Sequence, residues 1–266
     1  MSNPALVHTD PQNNAHSSGS GDDPSALGNV AVVRSRKRLA RIAGLLYLIV
    51  AVFGAFAHAF VRGKVYAPGD AAATAEKVLA NADLVRIGVV ADLFQVTVFV
   101  FLAMTLSRLL RHASRNAAST MVVLVAIDTA IVCLNMVFQV AGSLIATEES
   151  YVRAFGTGGA NALVLLMFDM QHYGYLIAQI FFGLWLFPLA YLVKKSGMFP
   201  KLLSTLLMAG GACYLVGTLA EFLVPSVGDA IKGFIYIPPI LAEVWILIYL
   251  LVKGVRSAPE PDGGRS

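Results

Sequence analysis

Six separate stretches of this chain are long and apolar enough to cross a bilayer, and no other feature restricts its fold as much. A transmembrane helix needs about 20 mostly apolar residues to cover roughly 30 Å of hydrocarbon. Residues 42–61, 87–107, 117–146, 173–193, 202–224 and 234–252 meet that requirement. Their ionisable content is sparse: His58 in the first, Asp92 in the second, Asp128 in the third, Glu221 in the fifth and Glu243 in the sixth. The chain is 57% hydrophobic and 14% charged, where soluble domains are about 25% charged. A soluble globule of 266 residues has too little interior to hide that much apolar surface. Soluble enzymes, disordered chains and nucleic-acid binders are therefore excluded. The partner implied is the lipid bilayer, and the class is all-α: a polytopic six-helix transmembrane bundle.

The net charge is +4, from 20 Lys and Arg against 16 Asp and Glu, and the basic residues fall where a bilayer would put them. Lysine and arginine accumulate on the cytoplasmic side of membrane proteins. Fourteen of the twenty here lie before the first span, between spans two and three, between spans four and five, or after the sixth. That pattern places both termini in the cytoplasm and the protein in the cytoplasmic (inner) membrane. Residues 1–37, rich in Ser, Gly, Asn and Asp at their start, are expected to form a disordered cytoplasmic tail, and 257–266 a second one. The transmembrane domain is assigned to 38–256. Its first apolar run starts too late, and runs too long, for a cleavable signal peptide.

Between spans one and two, Pro68-Gly69-Asp70 reads as a turn and 71–80 as a short outer helix capped by Asp70. Asp83 is a candidate cap for the second span. Cys133 and Cys213 lie inside spans, with no metal-binding or disulfide spacing. Pro188 is expected to kink the fourth span. Pro238-Pro239 either opens irregular backbone along a cavity or marks the first turn of the sixth span. Ala209, Cys213 and Gly217 form a small-residue row suited to close packing.

Ionisable side chains at membrane depth are expensive, and they face a bundle interior or a wet cavity. With about 1.5 Å of rise per residue, His58 falls near the outer end of span one and Arg86 at the outer mouth of span two. Asp92 falls about 9 Å below Arg86. Asp128 lies near mid-membrane, with Asn135 and Gln139 above it within about 40° on the same helical face. Asp169 and His172 lie at the outer end of span four, Glu221 at that of span five, and Glu243 near the middle of span six. The inner halves are almost purely apolar. The candidate ligand-binding set is therefore His58, Arg86, Asp92, Asp128, Asp169, His172, Glu221 and Glu243, around a polar pocket open to the extracytoplasmic side. Arg86 and Asp92 point about 120° apart, so Arg86 pairs instead with Asp83 or with a carboxylate on another helix. Five carboxylates against one arginine and two histidines suit a cation, whether metal, proton or amine. No HExxH or His–His pair makes a metal specific, and no cofactor is indicated. The competing reading of the Asp128, Asn135 and Gln139 stripe is interhelical hydrogen-bond glue.

Several stretches carry a family likeness: "ARIAGLLYLIVAVFGAFA" (40–57), "PGDAAATA" (68–75), "ADLVRIGVVADL" (82–93), "DMQHYGYLIAQIFFGLWLFPLAYLVKKSGMFPKLL" (169–203) and "LAEVWILIYLLVKGV" (241–255). Together they resemble the prokaryotic integral membrane family known as domain of unknown function 4386. The resemblance implies a bacterial multi-span membrane protein with no established activity. It singles out Asp70, Arg86, Asp92, Asp169, His172, Tyr175 and Glu243. Relatives often have an acidic residue where this chain has His58.

Three functions compete at this point. The first is a ligand-binding protein or small transporter, for which six spans are few unless it is a homo-oligomer. The second is a metal-assisted intramembrane hydrolase, for which no nucleophile motif is present. The third is a non-catalytic partner or sensor subunit.

Overall fold

At membrane depth each unpaired backbone N–H or C=O costs several kcal/mol, and a helix satisfies both within one segment. The apolar runs are accordingly all helical in the computed structural model, which describes residues 24–255. Helix α1 (Pro24–Gly54) continues through a π-helical stretch (Ala55–Val61) into α2 (Arg62–Val65). After α3 (Ala71–Ala80) come α4 (Ala82–Leu110), α5 (Arg115–Thr147), α6 (Glu149–Leu184), α7 (Leu186–Ser196), α8 (Lys201–Leu223), α9 (Pro225–Ile235) and α10 (Ile237–Val252). They make six membrane-spanning helical segments, so the protein is an all-α multi-pass membrane protein. Large apolar side chains such as Val90, Leu134, Leu223 and Val252 lie on the outside of these segments, where a bilayer is their solvent.

Helix α3 matches the expected short helix. Asp70 caps it, with Oδ1 accepting from the Ala73 N–H at 2.9 Å, a contact worth about 1 kcal/mol. Asp83 does not cap the second span. The N-cap of α4 is Asn81, and Asp83 sits in the first turn beside Arg86. The part of the expected N-terminal tail from Pro24 onward is helical, because α1 begins there. The rest of that expectation, 1–23, and the second tail, 257–266, lie outside the described residues.

The larger departure is the fourth span. The fourth apolar run starts at residue 173, but α5 ends at Thr147 and α6 already begins at Glu149. The glycine-rich stretch that reads as a connection is helix, interrupted only at Gly156, where φ is +69°. That backbone region is open to glycine at no steric cost. Asp169 and His172 therefore lie within a helix rather than at the start of one. Pro188 produces its expected break: it has no N–H for the Leu184 carbonyl, and its ring crowds that group. Helices α6 and α7 consequently meet at Trp185. In the sixth segment the chain breaks at Tyr236, and Pro238-Pro239 occupies the first turn of α10.

Helix α1 packs on α4, α4 on α5, α5 on α6, α6 on α8, α8 on α10, and α10 back on α1, closing a six-membered ring. Helix α7 packs against α4, α5 and α8. Around it lies the largest apolar core, including Ala43, Phe99, Leu106, Met121, Trp185, Leu189, Leu207 and Ile246. This core fills the half of the ring nearest the arginine-rich helix ends. Of the expected row only Gly217 sits at a close helix approach, since Ala209 is exposed and Cys213 half-buried, and Gly210 supplies another. A Cβ on Gly210 would lie 2.9 Å from Pro239 Cα, and one on Gly217 would lie 2.9 Å from the Tyr236 hydroxyl.

Candidate functional site

With one half of the ring filled by the core, the polar residues collect in the other half. They form two neighbouring concavities there, in place of the single expected pocket.

The deeper one is a cavity of about 520 Å³ lined from all six membrane-spanning segments. Its polar lining includes His58 from the π-helical stretch, Gln95 from α4, Asp128 from α5, Gln179 from α6 and Glu243 from α10. Tyr47, Tyr175, Phe182 and Tyr214 supply aromatic walls. Phe182 and Tyr47 lie against Trp185 of the apolar core, at ring-centroid distances of 6.2 and 6.1 Å. Small-molecule sites of this kind are mostly apolar, with a few placed polar groups.

Each polar group has its own surroundings. Glu243 is held from both sides: the Tyr214 hydroxyl donates to Oε1 at 3.0 Å and the Tyr47 hydroxyl to Oε2 at 3.1 Å. Asp128 is 4% exposed, and no side chain among the described residues hydrogen-bonds to its carboxylate. Gln95 is buried, and its Oε1 has no hydrogen-bond partner. Asp92 does not line the cavity. It lies behind His58, whose Nε2 is 3.1 Å from Asp92 Oδ1 and whose ring packs tilted against Tyr175, with centroids 4.0 Å apart. The π-helical stretch places His58 there, and single wide turns of this sort recur at functional sites.

The second concavity, about 560 Å³, is lined by residues including Arg62, Tyr66, Asp169, His172, Glu221 and Lys232. The Tyr66 hydroxyl donates to Asp169 Oδ1 at 2.5 Å, and the Arg62 guanidinium lies 5.0 Å from the Tyr66 ring centroid. Burial, and then the bond to Asp169, raises the Tyr66 phenol above its ordinary value, so it remains the donor near neutral pH. His172 Nε2 is 3.9 Å from Glu221 Oε2, beyond hydrogen-bond reach. Arg62 and Lys232 offset two of the three acids here, Asp169, Glu221 and Asp229, with Lys232 paired to Asp229 at 2.6 Å, whereas Asp128 and Glu243 in the deep cavity face no lysine or arginine.

Of the eight candidates, the structure places His58, Asp128 and Glu243 in the deep cavity, and Asp169, His172 and Glu221 in the mouth. Asp92 stands behind His58. Arg86 belongs to neither: it is exposed and pairs with Asp83 at 3.0 Å. The polar stripe on α5 divides in the same way. The Asn135 side chain donates to the Gln171 carbonyl at 2.7 Å, which is packing glue, and Gln139 reaches the Val85 carbonyl at 3.5 Å. Asp128 faces the cavity. Sequence reasoning missed Arg62, which falls one residue beyond the first apolar run, and the two tyrosines that hold Glu243. The available signal was a tyrosine in mid-span, since that residue type favours the membrane interfaces. Among the described residues, no three His, Cys, Asp or Glu side chains gather closely enough to hold a metal ion.

A closed ring of six membrane-spanning segments around an acidic, aromatic-walled cavity defines a multi-pass integral membrane protein with an internal polar chamber. Its family is shown by sequence. A family model described as Domain of unknown function (DUF4386) matches residues 42–254, and the chain belongs to that family. No curated protein and no solved structure matches it.

Proposed function

We propose that this protein binds a small organic cation, of the amine or ammonium class, in the deep cavity and carries it through an outward-facing mouth. The observation that carries this reading is the pair Asp128, buried, and Glu243, half-buried: two carboxylates in one aromatic-lined cavity. A cation brought there meets acceptors without donors: Asp128 and the free Oε1 of Gln95. It also meets ring faces, which attract a desolvated cation by about 2 kcal/mol. His58 and Asp92 are in contact beside the cavity, 3.1 Å apart. The charged mouth of Arg62, Asp169, His172, Glu221 and Lys232 would be the vestibule.

The test is titration of the purified protein with arylalkylamines and with their isosteric neutral alcohols. The amines are expected to stabilise the fold by about 2.7 kcal/mol at 100 times Kd, read as a rise in melting temperature, and the alcohols to do nothing. Equal responses to both series, or no response to either, would overturn the reading.

The orientation follows from charge. We place both termini in the cytoplasm and the two concavities toward the extracytoplasmic side of the cytoplasmic membrane, because the arginine-rich helix ends lie opposite them. In a cysteine-free background, Thr157→Cys is expected to react with an impermeant maleimide on intact cells. Lys195→Cys, equally exposed, is expected to react only after permeabilisation. The reverse pattern would invert the topology.

A further inference from the structure

At the end of the ring remote from both concavities, the end of α4 and the start of α5 meet the flank of α1 around a third one. Ser35, Arg36 and Leu39 come from α1, Arg108, Leu109 and His112 from the end of α4 and the turn after it, Arg111 from that same turn, and Arg115 from the start of α5. The space they enclose is about 500 Å³. No carboxylate lines it. Among the described residues every close acid–base pair lies elsewhere: His58–Asp92, Arg86–Asp83, His172–Glu221 and Lys232–Asp229. Four guanidinium groups thus share one hollow with no opposing charge among the described residues.

Positive charge at helix ends is enough to orient a membrane protein. Orientation does not require the charges to meet in a hollow, nor to be arginine. The next basic cluster on the same side, Lys194, Lys195 and Lys201, is all lysine, whereas the hollow holds arginine alone. Arginine's planar fork matches phosphate oxygens two at a time, which a lysine ammonium does not. The N-terminus of α5, capped by Ser114, adds the positive end of a helix dipole. His112 registers the field: burial, and then the Arg36 guanidinium, holds its imidazole below the ordinary value. The floor is apolar, made by Leu39 and Leu109.

We infer that this arginine hollow is a binding site for a phosphate ester, with the phosphate between Arg36, Arg108, Arg111 and Arg115 and the organic part over Leu39 and Leu109. Two sources carry that chemistry: the headgroup of an anionic lipid and a soluble phosphate compound. Basic hollows between membrane helices are suited to the first.

The full-length protein would be stripped of lipid by detergent exchange. It would then be titrated separately with phosphatidylglycerol, phosphatidylcholine, glycerol 3-phosphate and inorganic phosphate. Bound ligand is counted by native mass spectrometry, and stability is followed by melting temperature. Phosphatidylglycerol is expected to bind at least about tenfold more tightly than phosphatidylcholine, as charge-assisted hydrogen bonds imply. The double variant Arg108→Gln/Arg111→Gln should lose that preference. Arg108→Lys/Arg111→Lys, which keeps the charge needed for insertion, should retain only part of it. Equal binding of glycerol 3-phosphate and phosphatidylglycerol would identify a soluble phosphate as the ligand; binding of the lipid alone would identify the headgroup. If the wild type responds to no phosphate compound, or the glutamine variant keeps the wild-type preference, the site does not exist.

Discussion

Asp128→Asn is expected to abolish stabilisation by arylalkylamines, weakening apparent affinity by roughly 10²- to 10³-fold, without lowering the melting temperature of the ligand-free protein. The two halves of this result have separate causes. Removing one partner of a buried ion pair costs about 3–5 kcal/mol, and each 1.4 kcal/mol is about a factor of ten in Kd. In the ligand-free protein, by contrast, Asp128 is 4% exposed and accepts no hydrogen bond from a described side chain, so an amide of nearly the same shape forfeits no contact. Glu243→Gln behaves differently. Tyr47 and Tyr214 each donate to one carboxylate oxygen, and an amide offers only one oxygen, so one tyrosine O–H loses its acceptor and its phenol oxygen can only accept from the amide NH2. That variant should lose both amine binding and about 1–3 kcal/mol of stability. If both polar groups served packing alone, the two substitutions would move stability only, with no contrast in amine response. Calorimetric titration of the two variants beside wild type decides the matter. Wild-type affinity in Asp128→Asn would remove the cation site.

The reasons that Asp128 was legible in the sequence, and that Gln95, Tyr47 and Tyr214 in the same cavity were not, are physical. A lone carboxylate in an apolar run is conspicuous because bilayer solvation makes it costly, and helical phase puts it on the buried face of α5 with Val125 and Val132. Asp70 was legible for a local reason: capping needs only a short acidic side chain before a helix-forming run. The π-helical stretch was not legible. An extra residue in a turn leaves no periodicity signal in a segment that is apolar all round, yet it decides that His58 meets Asp92 and Tyr175. The fourth span misled because Asp169 and His172 read as the edge of the membrane, whereas α6 carries both and continues to Glu149. Arg62 falls one residue beyond the first apolar run and so drops out on the same logic. As a result, two compartments of different charge merged into one acidic pocket. Depth can be read along a helix, but which helices share a cavity depends on the ring order and on the glycines that set helix spacing.

Those glycines lead to the second large effect. Gly211→Val is expected to destabilise the protein by about 3 kcal/mol, at the upper end of overpacking costs. A Cβ on Gly211 would lie 2.9 Å from the carbonyl oxygen of Gly183, 3.1 Å from the Phe187 ring and 3.3 Å from Leu186 Cβ. The first of these atoms is backbone, so relief requires α6 and α8 to move apart. Helix association in a bilayer rests on close packing, because lipid tails are as apolar as the side chains. Ala209→Val, two residues away on the lipid-exposed face, should stay within about 0.5 kcal/mol of wild type. Thermal melting in one detergent compares the pair directly, and matching curves would disprove the close approach. The same contact reaches the cavity. A Cβ on Gly183 would lie 2.9 Å from Tyr214 Cβ, and Tyr214 donates to Glu243. Forcing α6 from α8 should therefore weaken amine binding along with stability, whereas Ala209→Val should change neither. A Gly211→Val protein that melts early but binds the amine at full affinity would uncouple the cavity from this helix contact.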